Sequence, residues 1–375
     1  MKMKILVPGY VGKTITGIGR YFISLVDSCT NPELFFVIYT NFDIKDKFVF
    51  CKNKNVEIKT YNISKDSSIK NMLWNAFVFP KIVKKEKANL VVYPNFSLIL
   101  FKASKTICFV HDLIEFNVAK KFSALKMFYR KKICDPLMCK KADKIITVSQ
   151  NSKKDIIGFL HVKENKIDIV SPGIDLNKFH KLSEGKKEEM KAKYSQIPEH
   201  FIFYSGTIDN PGKNPIGVIK AFELMRKNGE YSGKCVLSGM KGKGYLEVEE
   251  YAKQSPFSGD ILFTGYISDE ELIFLYNSCD VYCFVSLYEG FGMPPLEALA
   301  CGAKVVVSST SSLPEVVGGF GQKVDPQNIH EVARGILSEM HSKDYDVFAL
   351  NSFLKNCLWE ERARQFERCL IKAKK

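Results

Sequence analysis

No apolar run in the sequence is long enough to cross a membrane. The longest, 90–101, is interrupted by Pro94 and Asn95 and falls short of the ~20 residues a spanning helix needs. The opening Met1-Lys-Met-Lys-Ile-Leu-Val-Pro8 has too short an apolar region for a signal peptide and reads as a first strand. Cys-x-x-Cys is absent although the chain has eleven cysteines, an odd number without framework spacing, which argues for reduced thiols in a cytosolic protein. Cys279 and Cys283 are four apart, but the second lies in an expected strand, so both read as core rather than a shared metal face. A complete Gly-x-Gly-x-x-Gly is missing too. Thr16-Gly-Ile-Gly-Arg-Tyr21 lacks the spacing and the acidic partner of a dinucleotide fingerprint. The single Asp-x-Asp, Asp344-Tyr345-Asp346, sits in a polar stretch away from the expected strand ends, so no metal is expected. Tandem repeats and low-complexity linkers are absent.

What is present points to two domains. A chain of 375 residues is long for one core. Apolar β-branched runs alternate with helical patterns from the start, implying βαβ units and parallel sheets, an α/β class. Charge is uneven. Residues 1–180 hold 31 Lys+Arg against 15 Asp+Glu, a net +16, and the remainder holds 24 against 26, a net −2. The basic half suits an anionic surface or polymer. Clusters at 81–87, 120–132 and 140–144 carry much of it, and Phe122, Leu125, Met127, Phe128 and Tyr129 are interleaved with the second. That mixture fits either a membrane interface or a solvated helix face. Nucleic acid is the weaker reading, because no nucleic-acid-binding motif accompanies the charge.

Chemistry concentrates in Ser286-Leu-Tyr-Glu-Gly-Phe-Gly-Met-Pro-Pro-Leu-Glu-Ala-Leu-Ala-Cys-Gly302. The apolar run 280–286 before it reads as a buried parallel strand. Gly290 and Gly292 allow a tight turn and close approach by a ligand, and Pro294 and Pro295 suit a helix's first turn. A helix N-terminus after a glycine turn is an anion site. Glu289 and Glu297 bracket it. A carboxylate beside a phosphate is repelled, so these acids suit hydroxyls. An anion cradle between two hydroxyl-binding acids fits a nucleotide sugar.

Glu289-Gly-Phe-Gly-Met-Pro-Pro-Leu-Glu297 resembles the Glu-(seven residues)-Glu hallmark of the retaining GT-B glycosyltransferases of family 4. The resemblance continues through most of the chain. It includes the glycine-rich first loop (Gly9, Gly12, Gly17, Gly19), His111-Asp-Leu113 after a strand, 144–155, the crossover 167–175, Gly265-Tyr-Ile267, 309–315 and Trp359-Glu-Glu-Arg-Ala363. It implies two Rossmann-like domains facing a cleft. An acceptor-binding domain would span 1–175, with the C-terminal helix 359–375 crossing back to it, and a nucleotide-sugar domain would span 176–358.

The same resemblance implies the site. Glu289 would hold the donor sugar's hydroxyls and Glu297 the ribose hydroxyls. Gly290, Phe291, Gly292 and Met293 would line the diphosphate or sugar, with backbone N–H groups from the last three. Lys213 would supply charge to the diphosphate, and Tyr266 and Ile267 would border the base, although Ile267 also suits core packing. His111 would hydrogen-bond the donor sugar and Gly17 would complete the first domain's side. Asp112 either shares in this or caps the next turn. Gly212 stands where the family usually has arginine, so one phosphate contact is absent or replaced by backbone N–H groups. The glycine-rich strings look most like bacterial mannosyltransferases of O-antigen and capsule assembly. GDP-mannose is therefore the favoured donor, ahead of UDP- or dTDP-sugars. The acceptor would be a glycan or lipid-linked glycan at the inner face of the cytoplasmic membrane, and the enzyme a retaining, metal-independent hexosyltransferase needing no cofactor. A non-catalytic nucleotide-sugar-binding homologue is the alternative of another class.

Overall fold

The computed structural model describes residues 2–9, 17–41, 53–61, 68–118 and 123–374. Gly12 and Thr16 of the first loop, and Lys120, Lys121 and Phe122 of the basic cluster, lie outside them. The chain divides into two compact units, Met1–Gly173 with Cys357–Lys375, and Ile174–Asn356.

The first unit is built on seven parallel strands: β1 (Met3–Pro8), β2 (Leu34–Asn41), β3 (Val56–Tyr61), β4 (Leu90–Tyr93), β5 (Lys105–Phe109), β6 (Lys144–Thr147) and β7 (Ile167–Ile169). Their order is β3-β2-β1-β4-β5-β6-β7. Central β4, Leu-Val-Val-Tyr, is buried throughout, as a strand covered on both faces requires. Edge strand β3 has Glu57 and Lys59 among its apolar residues and is only partly buried. The closing helix Trp359–Lys374 belongs to this unit. Its Phe366 is fully buried against Phe22, Phe36 and Phe109, and Glu367 accepts the backbone N–H groups of Thr30 and Asn31 at 2.7 and 2.8 Å.

Two crossover helices of this unit share a device that obscures them in sequence. Residues 68–85 and 124–141 are each continuous but contain an internal π turn, Trp74–Val78 and Arg130–Cys134. Each π turn is followed by a proline, Pro80 or Pro136. Proline lacks an N–H and clashes with the carbonyl four residues back, which here lies inside the widened turn at Ala76 or Lys132. The helix absorbs the proline instead of breaking.

The second unit has six parallel strands: β8 (Phe201–Ser205), β9 (Lys234–Ser238), β10 (Ile261–Gly265), β11 (Val281–Phe284), β12 (Val305–Ser308) and β13 (Gln322–Val324). They are ordered β10-β9-β8-β11-β12-β13. Both sheets are thus doubly wound, and the order reverses between β1 and β4 in one and between β8 and β11 in the other. Open α/β sheets bind ligands beyond the strand carboxyl ends at such a reversal. The helices expected at 20–27, 184–194 and 216–226 run Gly17–Asp27, Glu184–Lys193 and Pro215–Lys227. The ten cysteines among the described residues are free.

Candidate functional site

In the second unit, β8 and β11 are hydrogen-bonded neighbours, and the loops leaving them meet at the reversal. Leu287 donates its N–H to the Gly212 carbonyl at 2.9 Å, tying the two loops together. Asn214 fixes the first loop. It adopts a left-handed conformation, caps helix Pro215–Lys227 through the Gly217 N–H, and donates its amide to the Val285 and Pro326 carbonyls. Lys213 beside it reaches Glu289, with Nζ 2.8 Å from Oε1. Ser286 donates to the same oxygen at 2.9 Å. Two residues 76 apart in sequence are therefore one charge-paired unit. A lysine has three donors, so Lys213 can hold Glu289 and still offer an N–H to an incoming oxygen. Beneath them Tyr204 is buried, and burial first, then the Glu289 charge, keeps its phenol well above the ordinary range.

The glycine turn is held from behind. Ser312 donates to the carbonyls of Glu289 and Phe291 at 3.0 and 2.6 Å, and Ser311 accepts the Glu289 N–H at 3.2 Å. Gly292 caps helix Met293–Ala300 at φ +98°, and a Cβ there would lie 2.5 Å from Leu313 Cδ2. Only glycine fits without movement. With the carbonyls engaged and prolines at 294 and 295, the helix opens on Phe291, Gly292 and Met293, where first-turn N–H groups lack intrahelical partners. Farther along this helix, Tyr276 donates to Glu297 Oε2 at 3.4 Å. The Tyr276 hydroxyl is also 2.9 Å from Ser205 Oγ, which in turn lies 3.1 Å from the Tyr282 hydroxyl. A buried hydroxyl chain thus backs the second glutamate. Tyr266 and Ile267 follow β10, the sheet's edge strand; Tyr266 is 73% exposed and Ile267 is half-buried.

The first unit's strand-end edge is occupied differently. His111, just past β5, is 6% exposed, and its Nε2–H donates to the Pro94 carbonyl beyond β4 at 2.8 Å. The ring stacks on Phe109 and meets Tyr21 edge-on at 5.5 Å. Burial lowers its pKa to about 4, against the smaller opposing effect of Pro94, so at neutral pH it is an uncharged imidazole with Nδ1 as acceptor. Asp112 caps the next turn, accepting the Ile114 N–H at 3.1 Å. Gly17 opens helix Gly17–Asp27, is exposed, and has open space where a Cβ would go.

Sequence reasoning missed three features of these edges: Ser311 and Ser312, Tyr276, and a buried cluster in the first unit. In that cluster Arg130 Nε lies 3.0 Å from fully buried Glu115, and its guanidinium covers Phe96 at 3.8 Å. Fully buried Asp135 is held protonated, its pKa raised by burial and by the neighbouring Glu115. Asp344-Tyr345-Asp346 has structural work: Asp346 caps helix Val347–Lys355 and Asp344 lies 3.5 Å from Lys304.

These two doubly wound units, one with a charged pair beside a helix N-terminus at its reversal, define an open-sheet α/β class. Residues 15–178 match the Glycosyltransferase Family 4 model and residues 186–349 match the Glycosyl transferases group 1 model. The chain is 31% identical over 237 residues to the serotype-specific mannosyltransferase WbdA of Escherichia coli, covering 61% of this chain but only 28% of that protein. It is 28% identical over 275 residues to the O-antigen chain mannosyltransferase B of Escherichia coli, covering 72% and 71%. Its fold matches that of HepE from Anabaena, solved in complex with UDP and glucose, with a TM-score of 0.72 at 17% identity over 99% of this chain and 100% of that one. The chain belongs to the family 4 glycosyltransferases of GT-B fold.

Proposed function

We propose that the protein is a retaining hexosyltransferase that moves mannose from GDP-mannose to a glycan or lipid-linked glycan acceptor in bacterial surface-glycan synthesis. The observation that carries this reading is the Lys213–Glu289 pair at the second unit's reversal, beside the helix that opens at Gly292 and carries Glu297. Lys213 and the helix N-terminus stabilise negative charge building on the leaving diphosphate. Glu289, neutralised by Lys213, accepts hydrogen bonds from sugar hydroxyls without repelling the phosphates. Glu297, steadied by Tyr276, takes the ribose hydroxyls, and Tyr266 and Ile267 border the base. In the first unit His111 offers a neutral nitrogen to a donor-sugar hydroxyl, and Gly17 leaves room for the donor.

In the reaction the bond between the anomeric carbon and the phosphate oxygen breaks, and a bond from that carbon to the acceptor oxygen forms. The acceptor's proton passes to the departing phosphate oxygen. No metal is assigned, since Lys213 and the helix end supply the positive field. Mannose is favoured by the names of the two Escherichia coli relatives. A UDP- or dTDP-sugar is the second donor reading, supported by the UDP and glucose held by HepE. No helix among the described residues is long and apolar enough to cross a membrane. Contact with an anionic membrane at the cytoplasmic face would run through the first unit, because residues 1–180 carry a net +16. Purified protein should release GDP from GDP-mannose, slowly onto water and faster with a lipid-linked acceptor, and chelator should leave the rate unchanged. Turnover that stops in chelator and returns with Mg²⁺ would remove the metal-independent mechanism. Binding without any turnover would favour the non-catalytic homologue that Gly212 suggests.

A further inference from the structure

Side-chain hydroxyls from the loop after β12 hold the stretch 286–291 of the second unit. Ser308 donates to the Ser286 carbonyl at 2.5 Å, Thr310 to that of Leu287 at 3.5 Å, and Ser312 to those of Glu289 and Phe291. The Ser311 hydroxyl accepts the Glu289 N–H. Ser286 and Ser308 are both fully buried. Ser286, two residues past β11, is therefore fixed in its backbone before its own side chain is considered.

That side chain is committed to one atom. A serine hydroxyl carries one hydrogen and an ionised carboxylate only accepts, so the 2.9 Å contact from Ser286 Oγ to Glu289 Oε1 uses that hydrogen. Lys213 Nζ lies 2.8 Å from the same oxygen. Oε1 thus has two donors, one from the loop after β8 and one from the end of β11. Oε2 has no protein partner among the described residues. The terminal torsion of a glutamate is broad, so an unheld carboxylate swings. Here a partial turn about that torsion lengthens both contacts on Oε1.

The two donors differ in kind. Lys213 is a flexible cation, its side chain 27% exposed, and an incoming diphosphate competes for its charge. Ser286 is short, neutral and buried, and a phosphate cannot draw it away. Once a donor's diphosphate shares Lys213, Ser286 is the restraint that stays.

We propose that Ser286 is a positioning residue for glycosyl transfer: it pins Glu289 Oε1 so that Oε2 alone is presented to one hydroxyl of the donor sugar. This deepens the reading of Glu289 as an acceptor of sugar hydroxyls and rests on it. The nucleotide is gripped elsewhere, by Lys213, the helix that opens at Gly292 and Glu297. Loss of Ser286 therefore misplaces the sugar during reaction more than it weakens binding.

The test follows nucleotide release from GDP-mannose, and from analogues each lacking one mannose hydroxyl, in wild type, Ser286→Ala and Ser286→Cys. Cysteine fills nearly the same space but is a weak donor, so it separates the hydrogen bond from packing. Both variants should keep the wild-type circular dichroism and lower kcat about tenfold, with the donor KM within about twofold of wild type. For one hydroxyl, the rate penalty of its removal should shrink by about threefold or more in Ser286→Ala, while the penalties for the others stay as in wild type. A loss by the same factor with every donor would overturn the proposal. So would a cysteine variant with wild-type kcat, or an alanine variant with raised KM and unchanged kcat. Normal release by wild type and by both variants removes Ser286 alone, whereas no release by wild type removes the transferase reading along with it.

Discussion

The two units share a doubly wound parallel sheet with one strand-order reversal, yet they use its edge oppositely. In the second unit the reversal carries charge at the surface: Lys213 on Glu289, with a helix N-terminus beside them. In the first unit the edge is lined by buried, neutral or internally compensated groups: His111 on the Pro94 carbonyl and Arg130 on Glu115. Its charge lies outside, on lysine-rich helices. The same topology therefore produces one edge suited to gripping a diphosphate and another suited to positioning a less charged molecule. The fold supplies the place, and side chains decide the ligand.

The contrast can be broken from either side. The largest effect expected is on stability in the first unit. Arg130→Leu leaves Glu115 buried without its cation and should cost roughly 3–5 kcal/mol, read by denaturant unfolding, with little direct effect on donor affinity. Next is Glu289→Ala in the second unit, which should lower kcat by about a hundredfold, or about 3 kcal/mol, while the fold persists. Full activity in that variant would remove Glu289 from the site.

A pH effect of similar size distinguishes the buried edge. His111 titrates near 4 in the folded chain and near 6.5 when unfolded. The unfolded state therefore binds the extra proton first as pH falls. The neutral-histidine contribution is intact above about 6.5 and is lost progressively down to about 4, a swing of about 3 kcal/mol. His111→Gln should flatten that part of the stability profile, and an unaltered acid limb would contradict the buried neutral ring. The smallest effect is Tyr276→Phe. Loss of the hydroxyl's bonds to Glu297 and Ser205 should cost roughly 1–2 kcal/mol and raise the donor KM more than it lowers kcat.

Legibility in sequence also divides between the units. Strand β11, the glycine turn and the proline-led helix are readable because each is local: an apolar run, a glycine, a cap. In the first unit, β3 alternates charge with apolar residues and has no strong turn signal. The helices at 68–85 and 124–141 contain prolines that read as breaks until the π turns are seen. The site divides along the same line. Glu289, Gly292 and Lys213 were each visible as residue types. The ion pair spanning 76 positions, the Ser312 brace, the Tyr276 support and the His111–Pro94 bond are non-local and have no sequence signature.

Binding of a nucleotide diphosphate sugar at the second unit's edge is assigned by proposal to Lys213, Glu289 and Glu297. It is tested most directly by melting temperature across a panel of GDP-, UDP- and dTDP-sugars, in wild type and in Glu297→Ala. Ligand at about a hundred times its Kd adds roughly 2.7 kcal/mol by mass action. GDP-mannose should give the largest rise in wild type, much of it lost in Glu297→Ala. Equal stabilisation of both proteins, or none by any nucleotide sugar, would contradict it.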